Sequence, residues 1–99
     1  APEINAMSNN TTLLVAEGIV QVENASEHSG VKIVFTPETT AGLLDSVYTD
    51  STGYFSIILP VSIYTVDITK DGCVPVHIPS LYLSDNYDFG VVQLLARPI

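Results

Sequence analysis

The most constraining feature of this sequence is a series of short segments in which apolar and polar residues alternate, separated by prolines and turn-forming residues. In residues 63–70 (IYTVDITK), Tyr64, Val66 and Ile68 alternate with polar residues, which is the pattern of a half-buried strand. Extended segments are also predicted at 13–22, 31–36, 45–49, 55–60, 74–83 and 87–95. No segment has a helical period, and the connections are too short for the crossover helices of a parallel α/β fold. The sequence therefore predicts an all-β sandwich of two antiparallel sheets.

The same alternation predicts which side chains form the core. The predicted core residues, which share the inner faces of their strands, are Val31, Ile33, Phe35, Phe55, Ile57, Leu59, Tyr64, Val66 and Ile68. Tyr54 is out of phase with the apolar residues of its strand, so we expect it to be exposed. Cys73 is the only cysteine, which excludes an intramolecular disulfide and favours a role as a small buried side chain.

Glycines and prolines predict where the strands bend, turn or end. Asp50 and Gly53 belong to a tight turn, which Asp50 caps with its side chain while Gly53 adopts a positive φ. Gly18 predicts a bulge or a close backbone approach within the first strand. Pro75 and Pro79 interrupt the sixth segment, and because proline has no N–H to donate, they predict an edge strand.

The charge balance restricts the partners that this chain can bind. Eleven acidic residues and three basic residues give a formal net charge of −8. The cations Lys32, Lys70 and Arg97 are scattered along the sequence, so they predict neither nucleic-acid binding nor attraction to anionic membranes. No stretch approaches the roughly 18 consecutive apolar residues of a membrane helix, so we expect no membrane insertion. Residues 1–12 are polar and predict a flexible tail or linker before a single domain at 13–99.

Six short motifs follow one another in the order and spacing of a known family. They are Gly18-Ile19-Val20, Gly30-Val31-Lys32-Ile33, Thr49-Asp50-x-x-Gly53-x-Phe55, Leu59-Pro60, Tyr64-Thr65-Val66 and Lys70-Asp71-Gly72. On these motifs, residues 17–95 resemble the carboxypeptidase regulatory-like domains, relatives of the transthyretin-like and collagen-adhesin B-type sandwiches. Two positions depart from the family pattern, since Ser62 replaces the usual glycine and Cys73 replaces the usual aromatic residue.

This resemblance implies a noncatalytic module with a seven-stranded antiparallel Greek-key sandwich of the prealbumin-like class. Such modules lie beside peptidases, glycan-active enzymes, adhesins and outer-membrane receptors, and a similar module precedes the dockerin in some cellulosomal scaffold proteins. The resemblance therefore implies a secreted or cell-surface protein in which the module spaces, stabilises or docks a neighbouring domain.

Residue types used in catalysis are present, but they do not form a catalytic pattern. His28 is predicted in a loop and His77 in a strand between two prolines, and the sequence lacks the G-x-S-x-G turn that exposes a nucleophile. The two histidines and one cysteine also lack the H-x-E and C-x-x-C spacings of zinc sites. We therefore expect no enzymatic activity, no catalytic residues, no cofactor and no zinc site.

Calcium is the better-supported metal hypothesis. Asp50, Asp85, Asp88 and Asp45 lie in or beside predicted turns, and hard cations bind several carboxylate or carbonyl oxygens. Their spacing is not that of an EF-hand, and aspartate is common in turns because its carboxylate accepts local backbone hydrogen bonds. We interpret these residues as turn caps and expect calcium to be dispensable for folding.

Exposed tyrosines leave two functions open. Tyr54, Tyr82 and Tyr87 are the candidate partner contacts, because an exposed aromatic cluster suits protein or glycan binding. The first hypothesis is a structural or protein-interaction module that contacts a neighbouring domain or a surface protein. The alternative is a carbohydrate-binding module that uses exposed tyrosines. A flat row of tyrosine rings would favour glycan binding, whereas a large apolar patch on one sheet would favour docking.

Overall fold

The computed structural model describes residues 12–38 and 44–97, and these residues form seven β-strands. In chain order the strands are β1 Leu13–Val22, β2 Lys32–Pro37, β3 Asp45–Tyr48, β4 Tyr54–Pro60, β5 Ser62–Thr69, β6 Val76–Leu83 and β7 Tyr87–Leu94. No helix in this part of the chain is long and apolar enough to cross a membrane. Of the predicted tail, only Thr12 is described, and its carbonyl oxygen accepts a hydrogen bond from the Val61 N–H at 3.0 Å.

The strands form two sheets, which confirms the predicted all-β, seven-stranded Greek-key sandwich of the prealbumin-like class. One sheet has three strands in the order β4-β1-β7, and the other has four strands in the order β3-β2-β5-β6. The expectation that every pair is antiparallel is wrong for β1 and β7, which run parallel. Because β6 and β7 belong to different sheets, no hairpin sets the direction of β7. Between β1 and β7 the chain forms β4 and all four strands of the other sheet, and this long connection allows the parallel pairing.

The core lies between the two sheets and contains all nine predicted residues, each of which is buried. The structure adds buried residues from the first and the last two strands, namely Leu14, Ala16, Val20, Val22, Leu83 and Leu94. Three phenylalanines join the layers, because the ring of Phe89 lies 6.1 Å from that of Phe35 and 5.7 Å from that of Phe55. The buried Tyr64 ring packs edge-on against Phe35, and its hydroxyl donates a hydrogen bond to the Pro60 carbonyl oxygen at 2.6 Å.

The turn between β3 and β4 carries the chain from the four-stranded sheet to the three-stranded sheet. Its Asp50 carboxylate accepts hydrogen bonds from the Thr52 N–H at 2.9 Å, the Thr52 hydroxyl at 2.6 Å and the Tyr54 N–H at 3.1 Å. The hydrogen bond from the Thr52 hydroxyl is the main reason that the pKa of the Asp50 carboxyl lies below its ordinary value. As predicted, Gly53 has a positive φ of 89°. Its carbonyl oxygen accepts a hydrogen bond from the Val20 N–H at 2.8 Å, which fastens the turn to β1.

Two further predictions about bends and edges are confirmed. The pairing of β1 with β7 shifts register around Gly18, where a Cβ atom would lie 2.9 Å from the Phe89 Cβ, so the backbone approach is close. The strand that contains Pro79 and follows Pro75 is β6, and it lies at the edge of the four-stranded sheet. Cys73 is buried, as expected.

Candidate functional site

The outer face of the three-stranded sheet carries several large apolar side chains beside the polar residues Glu17, Gln21, Ser56, Asp88 and Gln93. We call this surface the apolar face; it consists of Leu13, Val15, Ile19, Tyr54, Ile58 and Val91. Ile58 is 63% exposed, Leu13 60% and Val91 57%, although strand alternation normally places polar residues at such positions. The apolar face therefore leaves large hydrophobic side chains in contact with water.

Strand register arranges these side chains in two bands. Ile19 on β1 pairs with Tyr54 on one side and with Val91 on the other, which makes one band across all three strands. Val15 pairs with Ile58 in the second band.

A polar row separates the two apolar bands. Glu17 lies in this row and pairs with Ser56 and Asp88. The Tyr54 hydroxyl donates a hydrogen bond to the Glu17 carboxylate at 2.8 Å, and this bond is the main cause that raises the pKa of Tyr54. The tyrosine ring is thus oriented along the face by a polar contact.

The outer face of the four-stranded sheet has a different composition. We call this surface the polar face; its polar residues are Lys32, Thr36, Ser46, Thr65, Asp67, Thr69 and His77. Val34 lies among them. Three larger apolar side chains also point outward, namely Tyr48, which pairs with Lys32, and Ile63 and Tyr82, which pair with each other at one end. The polar face follows the usual pattern of a strand with one buried and one solvated side.

The three tyrosines predicted as partner contacts lie on three different surfaces. Tyr54 belongs to the apolar face, whereas Tyr82 is 62% exposed on β6. Tyr87 pairs with the buried Ala16, and its ring packs edge-on at 4.8 Å from the Phe89 ring, so it covers one margin of the core. The structure does not bring these rings together into a flat row.

The two histidines have separate structural partners. The His28 imidazole Nδ1 accepts a hydrogen bond from the Val22 N–H at 2.9 Å, and its carbonyl oxygen accepts one from the Thr49 hydroxyl at 2.6 Å. His77 Nδ1 lies 2.5 Å from the Asp67 carboxylate on the polar face. Within residues 12–38 and 44–97, neither imidazole hydrogen-bonds to a serine, threonine or cysteine side chain.

The aspartates considered as calcium ligands each accept a backbone hydrogen bond from a nearby residue. Asp85 accepts one from the Asn86 N–H at 2.7 Å, Asp88 from the Gly90 N–H at 2.8 Å, and Asp45 from the N–H of the next residue at 2.8 Å. In the part of the chain that the structure describes, no three His, Cys, Asp or Glu residues are grouped so that they could hold a metal ion.

A groove at one end of the four-stranded sheet is the feature that sequence reasoning missed. Lys32, Lys70 and Arg97, the only Lys and Arg residues of the chain, all line this groove. We call it the cationic groove; it has a volume of about 580 Å³. These cations are scattered along the sequence, as described above, but the fold brings them together at one groove. Sequence alone gave no signal for it, because only sheet pairing brings residues so far apart in the chain to one place.

Comparisons with known proteins identify the fold. No protein-family model and no curated protein matches the sequence. A chain of the type II cohesin–X–dockerin complex from Acetivibrio cellulolyticus aligns with a TM-score of 0.66 at 22% identity, covering 84% of this chain and 58% of that chain. The 3-chlorocatechol 1,2-dioxygenase from Rhodococcus opacus 1CP aligns with a TM-score of 0.68 at 11% identity, covering 90% of this chain and 62% of that chain.

A DUF3823 family protein from Parabacteroides merdae also aligns, with a TM-score of 0.60 at 19% identity, covering 90% of this chain and 48% of that chain. This protein spans less than two thirds of the length of each of these chains. At such identities the likeness concerns the fold alone. The chain shares with these proteins a two-sheet β-sandwich that forms part of a longer chain in each of them.

Proposed function

We propose that this domain is a noncatalytic protein-interaction module that docks a neighbouring protein domain through its apolar face. The observation that carries the proposal is the exposure of Ile58, Leu13 and Val91 on one sheet. Burial of apolar surface against a partner contributes a favourable free energy of about 25 cal/mol per Å². Contiguous exposed apolar patches mark interaction surfaces in soluble proteins, and the band of Tyr54, Ile19 and Val91 is continuous across all three strands.

Folding does not require an apolar outer face. The buried cluster between the two sheets includes no residue of the apolar face. On β4 the outward residue Ser56 is polar, so the outward side of this strand carries polar as well as apolar residues. A partner surface that covers Ile58 explains why such a residue is found there.

The comparisons support a neighbouring domain as the occupant. One matched chain comes from a complex described as an interface mutant of a cohesin–X–dockerin assembly, so a sandwich of this fold occurs in a protein–protein complex. Each matched chain is longer than the part that aligns, so the fold occurs next to other parts of the same polypeptide. We extend the proposal to a carboxypeptidase regulatory-like domain at 13–99, preceded by a linker at 1–12, in a secreted or cell-surface protein.

Carbohydrate binding gains no support from the arrangement of the tyrosines. A flat glycan site needs neighbouring exposed rings. Tyr54, Tyr82 and Tyr87 lie on three surfaces. We retain Tyr54 as the partner contact of the three, because it lies within the apolar face.

Photo-crosslinking from single positions tests this proposal. The full natural polypeptide would carry p-benzoylphenylalanine at position 58 or at position 63 and would be irradiated in its native cells. Ile58 and Ile63 are a matched pair, because both are exposed isoleucines but they lie on opposite outer faces. We expect position 58 to crosslink to one defined protein surface, in the same chain or in one partner, and position 63 to give no defined product.

Equal crosslinking from both positions would contradict the proposal. Crosslinks from position 58 to a second copy of this chain would also contradict it, because the occupant would then be a homodimer partner. Hydrolysis of a peptide or ester panel that is lost in His77→Ala would overturn the noncatalytic assignment.

A further inference from the structure

The cationic groove gathers every Lys and Arg side chain of a protein whose formal net charge is −8. Its position is set by backbone pairing. Lys32 pairs with Tyr48 on β3 and with Thr69 on β5, and Lys70 follows directly. Arg97 is held at the same end, because its N–H donates a hydrogen bond to the Gly72 carbonyl oxygen at 2.9 Å.

In the part of the chain that the structure describes, the cations of the groove have no carboxylate partner. The ion pair found among residues 12–38 and 44–97 is that of His77 and Asp67, so no carboxylate of this part lies within 4.0 Å of the three cationic groups. The Lys70 ammonium donates a hydrogen bond to the Ser29 carbonyl oxygen at 3.0 Å, and the Lys32 ammonium lies 6.0 Å from the Tyr48 ring centroid. These contacts orient two of the cations and leave their charge available to a ligand.

The groove also has a size and a lining that favour a peptide over a small ion. Its volume of about 580 Å³ is within the roughly 300–1,000 Å³ typical of small-molecule and cofactor sites, which is far more space than a single small ion fills. Tyr48 and Pro75 line it beside the cations, so it offers apolar contact as well as charge. One acidic residue, Asp71, lines it too, which leaves a surplus of positive charge.

We propose that the cationic groove binds a short acidic segment of a protein, with carboxylates held by Lys32, Lys70 and Arg97. The guanidinium group offers a planar fork that matches a carboxylate, and the lysines add point charges. A long polyanion is disfavoured, because outside the groove the acidic protein surface repels it. The groove lies on the four-stranded sheet, so it is a second site that is separate from the apolar face.

Titration of the full 99-residue chain with two peptides tests the site. The probes are an acetylated, amidated hexapeptide with three consecutive glutamates and the same peptide with three glutamines. Backbone amide NMR shifts report the contact, and the Gly30, Lys32 and Gly72 amides mark the groove. We expect the glutamate peptide to shift these signals and the glutamine peptide to leave them unchanged, and added salt should weaken binding by screening the charges.

Variants connect the binding to individual side chains. Lys70→Gln and Arg97→Gln should each weaken binding of the glutamate peptide by roughly tenfold, because each removes a charge-assisted hydrogen bond. Ile63→Thr is the control, because Ile63 lies on the same sheet but does not line the groove, and it should retain affinity within about twofold. Asp71→Asn should strengthen binding, because it removes the carboxylate that repels the ligand.

Three results would overturn the proposal. Equal binding of the glutamate and glutamine peptides would show that charge does not select the ligand. Tighter binding of inorganic phosphate than of the glutamate peptide would assign the groove to a free oxyanion. Shifts confined to the apolar face would place the peptide elsewhere. All binding is measured on the free domain without a docked partner, so failure here leaves the docking proposal standing.

Discussion

The two outer faces of this sandwich differ although the same alternation builds both sheets. On the three-stranded sheet, Ile19 lies between Tyr54 and Val91, and all three are exposed apolar residues. On the four-stranded sheet, Asp67 lies between Val34 and His77 in the corresponding outward row. Folding requires only the inner faces to be apolar, so polar outward residues such as Asp67 and His77 need no explanation beyond solubility. The apolar face needs a partner to explain it.

The comparison assumes that both sheets unfold as one cooperative unit. Of the variants considered, Gly53→Ala should destabilise this unit most. A Cβ atom at Gly53 would lie 2.1 Å from the Val20 carbonyl oxygen, and the positive φ adds strain. We expect a loss of about 3 kcal/mol in the free energy of unfolding, measured by chemical denaturation.

Gly90→Ala is the matched control for this variant. Gly90 also has a positive φ, of 69°, but no heavy atom lies within 4 Å of the added Cβ, so about 1 kcal/mol is expected. Equal losses in the two variants would contradict the tight fastening of the turn to β1. A transition in which one sheet unfolds before the other would contradict cooperativity.

A second prediction concerns Thr49, a buried polar residue directly after β3. Its side chain holds the segment that leads into β2, the first strand of the four-stranded sheet. Its hydroxyl donates a hydrogen bond to the His28 carbonyl oxygen at 2.6 Å and accepts one from the Val31 N–H at 3.1 Å. Thr49→Val removes both bonds and should cost about 2 kcal/mol of stability. Thr49→Ser keeps the hydroxyl and should cost clearly less. If the two variants have the same denaturation midpoint, the hydrogen bonds are not what stabilises this position.

A third prediction concerns the β3–β4 turn, which joins the two sheets, and the way its Asp50 makes the stability of the fold depend on pH. The folded-state pKa of Asp50 lies below its ordinary value of 3.8, so the carboxylate stabilises the fold above that pH. This contribution is lost as the pH falls through the folded-state pKa, when the carboxylate becomes protonated. Asp50→Asn should therefore flatten the acid side of the stability profile, measured by thermal unfolding from pH 7 to pH 2. An unchanged acid profile in the variant would contradict this role.

The smallest change in stability is expected for substitutions of exposed isoleucines on the two outer faces. Ile58→Thr and Ile63→Thr should each change the stability of the isolated domain by no more than about 0.5 kcal/mol, because both side chains are exposed and threonine suits strands. Denaturation of the two variants beside the wild type measures this. A large loss for Ile58→Thr alone would mean that the apolar face serves the fold instead of a partner.

Local alternation made the fold predictable, but it could not determine how distant strands meet. Residues 64–68 and 55–59 have an apolar residue at every second position, so their buried side chains were predicted correctly, although Ile58 adds an apolar residue on the outward side. Leu14 and Ala16 lie in the continuous apolar run LLVA, where alternation does not define an inner face. The parallel direction of β7 depends on a crossover through the other sheet, which no local pattern encodes.

The candidate sites were less predictable than the fold for the same reason. Phase alone predicted that Tyr54 is exposed, yet the apolar bands around it come from cross-strand register with Ile19 and Val91. Likewise, Lys32 and Arg97 meet at one groove only because the chain returns to the same end of the sandwich. A local sequence pattern does not indicate which distant residues become neighbours in the fold.

The most direct test of the docking claim is the affinity of the domain for the protein surface that crosslinks to position 58. Isothermal titration calorimetry would compare the wild type with Ile58→Asp and Ile63→Asp, which place the same charge on opposite outer faces. The account predicts that Ile58→Asp weakens binding by roughly 30-fold or more, because a charge would be buried against an apolar partner, while Ile63→Asp stays within about twofold of the wild type. Equal weakening by both variants, or weakening by Ile63→Asp alone, would contradict it.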